Sequence, residues 1–337
     1  MLTMAIVPIE KVRQKSGFTP AINRVVETLK TNNFYLDTRP ISGEAPKCFL
    51  YVYEFRNGNC RKANKNTWIP YIAKFGHKWY PNESVTEYLF NRIGETLNIN
   101  MAKSRLAVIN GQLRFLSRYF LLNNEEILVH GAEIFSQWLE DKAFVSEIER
   151  KKLEQDFFTF QSVEHALNKA FPQYGQVFLD SFVRLLILDA LLGNNDRHHY
   201  NWAIIIHLKG TYPPRFSPIY DTARGLFWST PEQNIKTWLS NQKQLTLQLE
   251  KYAEGAKPLT GWDDHSNINH FQLIELICQD GRFKDVLKEL IQLSHLDEIY
   301  RVIDTEFLFL MSPNRRHLIK TYLHLRFQRI YTIVTNY

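Results

Sequence analysis

The spacing of apolar side chains changes character about a third of the way along the chain. CFLYVYEFR (residues 48–56) and TWIPYIAKFG (67–76) are dense in β-branched and aromatic positions and read as strands. NGNCRKANKN between them carries a turn signal, so the pair reads as a hairpin with a long connection. PNESVTEYLFNRIGETLN predicts an amphipathic helix, with Val85, Leu89, Ile93 and Leu97 at helical spacing. SRLAVINGQLRFLSRYF predicts a second hairpin about Asn110-Gly111. Ahead of these, residues 19–36 have a helix-like pattern, with Pro20 where a first-turn proline is tolerated. From about Asn123 onward the pattern is mostly helical. SFVRLLILDALL (181–192) is apolar nearly all round and belongs at the centre of a helical lobe. One more β-type excursion, NWAIIIHL–KGTYPP–RFSPIYD, interrupts the helices. The predicted fold is α+β and bilobal: a small β-rich N-lobe over residues 1–118, then a larger helical C-lobe over 119–337 with an inserted β-hairpin.

Composition narrows this picture without redirecting it. With 337 residues the chain suits two lobes, and its 45% hydrophobic and 23% charged residues are those of a globular protein. The longest strongly apolar stretch, 182–192, contains Arg184 and Asp189 and is far short of a membrane span. No secretory signal pattern opens the chain, so the expected location is the cytoplasm, or a host cell reached without such a signal. Three cysteines, Cys48, Cys60 and Cys278, exclude a disulfide scaffold or a zinc ribbon. A net charge of +6 is too weak to predict direct nucleic-acid binding. The one basic cluster, residues 311–337, holds Arg315, Arg316, Lys320, Arg326 and Arg329 with no acidic residue. It reads as the solvated face of a last helix packed through Leu318, Tyr322, Leu325 and Phe327. Asp263, Asp264, His265 and His270 read as a surface loop, and His198 and His199 as histidines without a metal role.

The chemistry concentrates in LLGNNDRHHYNWAIII. A buried helix ends at Gly193, and the loop beyond it offers Asp196 and, five positions on, Asn201. Phosphoryl transfer needs a carboxylate to accept the incoming hydroxyl proton and an amide oxygen to hold a metal, and D-x-x-x-x-N supplies both. The β-excursion returns the chain beside its start, so Asp221 can approach Asn201 as a second hard oxygen ligand. Lys74 lies in an apolar strand, as a phosphate-pairing lysine would. Of the two carboxylates on the next helix, Glu83 is explained by the helix dipole, which leaves Glu87 as the partner of Lys74. ISGEAPK (41–47) precedes the first strand, where a phosphate-covering loop belongs, with Ser42, Gly43 and Lys47 near the nucleotide. Arg197 holds either a phosphate or the loop.

SGEAPK, YIAKFG, SVTEYLF, GNNDRHHYNW and SPIYD, in this order from Ser42 to Asp221, resemble the C-terminal kinase domain of HipA-like Ser/Thr protein kinases. The resemblance implies ATP and Mg2+ or Mn2+ as cofactors, with Asp196 as catalytic base, Asn201 and Asp221 as metal ligands, and Lys74 on the phosphates. It places adenine on the backbone around Leu116, Ser117 and Tyr119, although the family's Glu-Arg-Phe is Ser117-Arg118-Tyr119 here. The acceptor it implies is a Ser/Thr hydroxyl of a protein, and the setting that of a bacterial effector or toxin. The phosphate loop begins near Ser42, so the family's extra N-terminal subdomain is missing; a compact stand-alone kinase is expected, without a HipB-type antitoxin. Pro40 stands at the family's regulatory serine, which makes Ser42 the candidate for autophosphorylation. Two other readings stay open: a kinase of a lipid or small-molecule acceptor, and a kinase-like binding protein without turnover.

Overall fold

Asn110 and Gly111 sit at φ 51° and 76° in the computed structural model, the left-handed pair that closes a two-residue hairpin. The structure describes residues 21, 25–39, 47–55, 57–76, 82–121, 125–222, 224–265 and 267–337. Around that turn a six-stranded sheet forms from β1 (Thr28–Leu29), β2 (Phe34–Asp37), β3 (Lys47–Val52), β4 (Ile69–Phe75), β5 (Ser104–Ile109) and β6 (Gln112–Arg118). The spatial order is β1-β5-β6-β4-β3-β2. The predicted first hairpin is β3–β4, in a register that sets Lys47 opposite Lys74. Helix α1 (Asn82–Thr96) lies on one face of this sheet, with Val85, Leu89, Phe90 and Ile93 fully buried beneath it. The other face buries Leu29, Leu50, Val52, Ala73, Ile109 and Leu116.

Of the helix expected over residues 19–36, Val25 is helical and residues 19, 20 and 22–24 lie outside the described residues, but from Thr28 onward the stretch is strand and tight turn instead. Thr28 and Leu29 pair in parallel with Val108 and Ile109, a single tight turn follows over Thr31–Asn33, and β2 runs antiparallel to β3. Sheet pairing buries Leu29 to 4% exposure, which outweighs a weak local preference interrupted by Asn32 and Asn33.

The second half holds β7 (Glu126–His130), β8 (Ala203–His207) and β9 (Arg215–Phe216) in a small sheet of order β7-β8-β9. The inserted hairpin is therefore present, but β7 joins it where helix was expected. Its five residues pair with β8 in antiparallel register from Glu126↔His207 to His130↔Ala203, a partner remote in sequence. Helices α2 (Gly131–Leu139), α3 (Phe144–Lys151), α4 (Glu154–Phe157), α5 (Phe160–Ala170) and α6 (Gly175–Leu192) follow β7. After β9 come α7 (Glu232–Leu239), α8 (Gln242–Gly255), α9 (His270–Asp280), α10 (Lys284–Leu290), α11 (Leu293–Glu306) and α12 (Pro313–Asn336). Helix α6 is buried all round from Leu185 to Leu192, as its pattern predicts, and one apolar core runs from α1 through α6 to α12.

Two surface readings are corrected. Helix α12 packs through Leu318, Tyr322 and Phe327 as expected, yet Arg315 and Arg326 are fully buried rather than solvated. Arg315 meets Glu232 and the carbonyls of Phe227 and Thr230, while Arg326 donates to carbonyls of Ala190 and Ala253. His270 is 1% exposed and starts α9 instead of lying in a surface loop. No helix among the described residues is long and apolar enough to cross a membrane.

Candidate active site

Alternation along β4 decides which side chains enter the cleft. Ala73 faces the core on the far side of the sheet, so Lys74 faces α1. There its ammonium meets a Glu87 carboxylate oxygen, and it donates to Asp221 Oδ1 at 2.8 Å. Glu87 is 5% exposed and Lys74 9%. Burial works against the charge on Lys74, but the carboxylates of Glu87 and Asp221 outweigh it and hold its pKa above the ordinary lysine value. Burial pushes Glu87 up, to about 7, against the pull of Lys74. Burial also works to raise the Asp221 carboxyl, but Lys74, Lys47 and Arg197 outweigh it and hold the carboxyl below its usual range. Asp221 sits at φ 54°, a left-handed conformation that a short polar residue tolerates best. Lys47, opposite Lys74 in the ladder, has its pKa lowered by burial and by the neighbouring ammonium, with Asp221 and Glu87 opposing.

The loop after α6 is held from within. Arg197, 3% exposed, grips both oxygens of Asp189 at 2.8 and 2.9 Å. Its Nη1 donates to the Asn201 carbonyl at 3.0 Å and to the Tyr220 carbonyl at 2.9 Å, and Nη2 to Thr222 Oγ1 at 2.7 Å. One nitrogen thus ties the backbone at Asn201 to the backbone beside Asp221, and Arg197 holds the loop rather than a phosphate. The Asn201 amide nitrogen donates to the Asp196 carbonyl at 3.0 Å, so its side-chain oxygen is the atom left for a ligand. The Asp196 carboxylate meets His198 Nε2 at 2.9 Å and Arg224 Nε at 3.2 Å. The hydrogen bond to Asp196 raises the His198 pKa against its burial. His199 is fully enclosed, and burial lowers its pKa to about 3, so it is a neutral core residue packed on Phe158.

Among the predicted site residues the structure joins Lys74, Glu87 and Asp221 directly, and Asp196 to Asn201 through the loop. Lys47 lies on their side of the sheet. The Leu116 side chain packs in the far core beside Ala73, and the backbone of Leu116 and Ser117, where adenine was expected, is paired in the sheet. The Tyr119 N–H donates to Pro70 O at 3.0 Å, and its ring meets Phe49 at 5.1 Å. Ser42 and Gly43, with the rest of the predicted phosphate loop up to residue 46, lie outside the described residues. Among the described residues no group of three or more His, Cys, Asp or Glu is set to hold a metal. The sequence reading missed Asp189, Arg224 and His270. Asp189 carried a signal, since a carboxylate in the apolar half of a helix demands a buried partner.

A six-stranded sheet with a buried lysine–glutamate pair, set against a helical half that supplies the facing loop, is a kinase-like bilobal fold. The HipA-like C-terminal domain family matches residues 40–292, and the chain belongs to that family. By sequence, no curated protein matches it. Among solved structures it is similar to the Helicobacter pylori proinflammatory kinase CtkA, with a TM-score of 0.71 and 17% identity. That likeness covers 93% of this chain and 97% of CtkA. A weaker likeness, TM-score 0.48 and 14% identity over 89% of this chain and 66% of the other, is to the Shewanella oneidensis MR-1 HipA, HipB and operator DNA complex.

Proposed function

We propose that the chain is an ATP- and Mg2+-dependent protein kinase acting on Ser/Thr hydroxyls. One observation carries the reading: Lys74, buried in a strand, reaches a helix carboxylate and Asp221 together, while Arg197 ties the segment beside Asp221 to the loop of Asp196 and Asn201. Lys74 and Asp221 are 147 positions apart, and a lysine with only a structural task needs one such partner. The donor set suits a hard cation, Mg2+ or Mn2+: Asn201 has its oxygen left over and Asp221 keeps its charge. Bound there, the metal supplies neutralisation of the phosphate oxygens.

The chain's own groups do the rest. Glu87 aims Lys74, which presents a fixed positive charge to the α/β-phosphates, and Lys47 adds a second cation on the same side. Asp196 accepts the acceptor hydroxyl's proton once the acceptor displaces Arg224 from its carboxylate. Adenine lies at the Tyr119 end of β6, beside Phe49. Autophosphorylation at Ser42 places charge where the ATP phosphates belong and lowers activity.

The test is to incubate the purified chain with γ-labelled ATP, Mg2+, protein acceptors and lipid vesicles. Label on protein Ser/Thr, with Ser42 among the mapped phosphopeptides and none for Asp196→Asn, supports the reading. Label in lipid alone selects a lipid kinase, and ATP binding without any label selects a silent kinase-like protein.

A further inference from the structure

The loop that carries Asp196, and the end of α6 that leads into it, are also gripped from outside, by two buried side chains of the C-terminal helices. His270, at the start of α9, has Nε2 2.8 Å from the carbonyl oxygen of Asn194. A carbonyl only accepts, so Nε2 carries the hydrogen. Asn194 passes the constraint on in both directions: its Nδ2 donates to Asp189 Oδ1 at 2.8 Å, and its Oδ1 accepts from the Asp196 N–H at 3.3 Å. Three groups in series thus link α9 to the backbone of Asp196.

Arg326, on α12, is fully buried and lies 4.6 Å over the Phe271 ring. Its Nε donates to the Ala190 carbonyl in the last turn of α6, and Nη1 to the Ala253 carbonyl and the Tyr322 hydroxyl, both at 3.1 Å. None of these partners is a carboxylate. A buried guanidinium without a counter-ion is costly to keep where an aliphatic side chain would pack. What it does here is fix the end of α6, three residues ahead of the helix-ending Gly193. Gly193, at φ 65°, passes so close that a Cβ would lie 2.3 Å from the Tyr322 oxygen and 3.4 Å from Arg326 Nη1.

We propose that His270 and Arg326 are positioning residues for Asp196, which makes α12, beyond the span matched by the family, part of the apparatus for phosphoryl transfer. The proposal rests on Asp196 being the catalytic base. A loop released from these anchors shifts the carboxylate, and misplacement by about 1 Å is enough to cost two orders of magnitude in rate.

The test compares His270→Leu, His270→Gln and Arg326→Met in the full chain. It reads kcat, KM for ATP, melting temperature and backbone hydrogen exchange over residues 189–201. His270→Leu is expected to lower kcat at least about tenfold, with KM for ATP within about twofold of the parent, and to speed exchange in the loop. His270→Gln, whose terminal amide restores the donor, returns kcat to within about threefold of the parent. Arg326→Met follows His270→Leu; should it not fold, the two His270 variants decide alone. Unchanged kcat in His270→Leu, or a loss that Gln does not restore, overturns the proposal. If the parent transfers no phosphate at all, the kinase reading fails separately. Loop exchange then decides the anchoring: faster in His270→Leu supports it, unchanged overturns it.

Discussion

Arg197→Met removes the side chain on which the site's architecture turns. Its guanidinium makes five hydrogen bonds: two to Asp189, and one each to the Asn201 carbonyl, the Tyr220 carbonyl and Thr222 Oγ1. The two charged side chains are 3% and 2% exposed, so methionine leaves the Asp189 carboxylate buried with the Asn194 amide as its remaining side-chain donor. Breaking a buried ion pair from one side costs about 3–5 kcal/mol, because the surviving charge keeps its desolvation penalty. Unfolding entropy of about 2.1 cal/mol/K per residue makes this a fall of roughly 4–7 °C in Tm for a chain of this length. Arg197→Lys keeps the charge, but its three N–H donors cannot serve five acceptors, so it falls between the parent and methionine. Arg197→Met combined with Asp189→Leu removes both charges and recovers about 2–3 kcal/mol relative to the sum of the single changes. Urea unfolding followed by tryptophan fluorescence measures the parent, Arg197→Met, Arg197→Lys, Asp189→Leu and the double variant. An Arg197→Met protein within about 1 kcal/mol of the parent, or strictly additive double variants, would refute the reasoning.

Three other outcomes follow from the same coordinates. Lys74→Met should lower kcat by about 10²–10³, and Glu87→Gln by less, because Glu87 only aims the lysine; equal losses in a labelled-ATP assay would contradict this. His199 and His270 are buried and neutral, with pKa values lowered to about 3 by desolvation. The unfolded chain therefore binds more protons below the ordinary histidine value, and stability present above about pH 6.5 is lost as pH falls toward 3, at roughly 1.4 kcal/mol per pH unit for each histidine. Glu87, raised to about 7, and His198, also raised, act in the opposite sense over this range. Urea midpoints from pH 7 to 4.5 should therefore show His270→Gln losing less stability than the parent toward low pH, by one proton; parallel profiles would rule it out. Gly131→Ala places a Cβ 2.3 Å from two atoms of the Trp202 indole, itself 1% exposed and stacked on Phe216. A thermal melt should record a loss of about 1–3 kcal/mol from overpacking, and a neutral substitution would mean that the ring yields freely.

Much of the sheet was legible because its signals are local. Alternation along 67–76 and the Asn110-Gly111 turn act within a few residues, and the helical phase of α1 is enough to choose Glu87 over Glu83. What sequence missed is decided at a distance. Strand β7 has five residues, and its pairing with β8 joins segments more than seventy positions apart. Arg326 reads as a solvated cation until the Ala190 and Ala253 carbonyls, 136 and 73 positions away, are brought to it. Thr28 and Leu29 form strand only because β5 is there to pair with them. In the site, Lys74, Asp196, Asn201 and Asp221 were legible as a motif, while Asp189 and His270, which brace the loop, belong to no motif. The hinge around Leu116 was assigned to the backbone by resemblance alone, and strand parity decides only the side chain, which lies in the far core.

The central claim is that Asn201 and Asp221 meet on one nucleotide-bound cation with Asp196 facing the transferred group. A crystal structure with Mg2+ and a non-hydrolysable ATP analogue tests it most directly. The account predicts Mg2+ at about 2.1 Å from the Asn201 side-chain oxygen and an Asp221 carboxylate oxygen, with Lys74 turned from Asp221 to the phosphates. Nucleotide bound away from Lys74, or a cation that engages neither Asn201 nor Asp221, would contradict it.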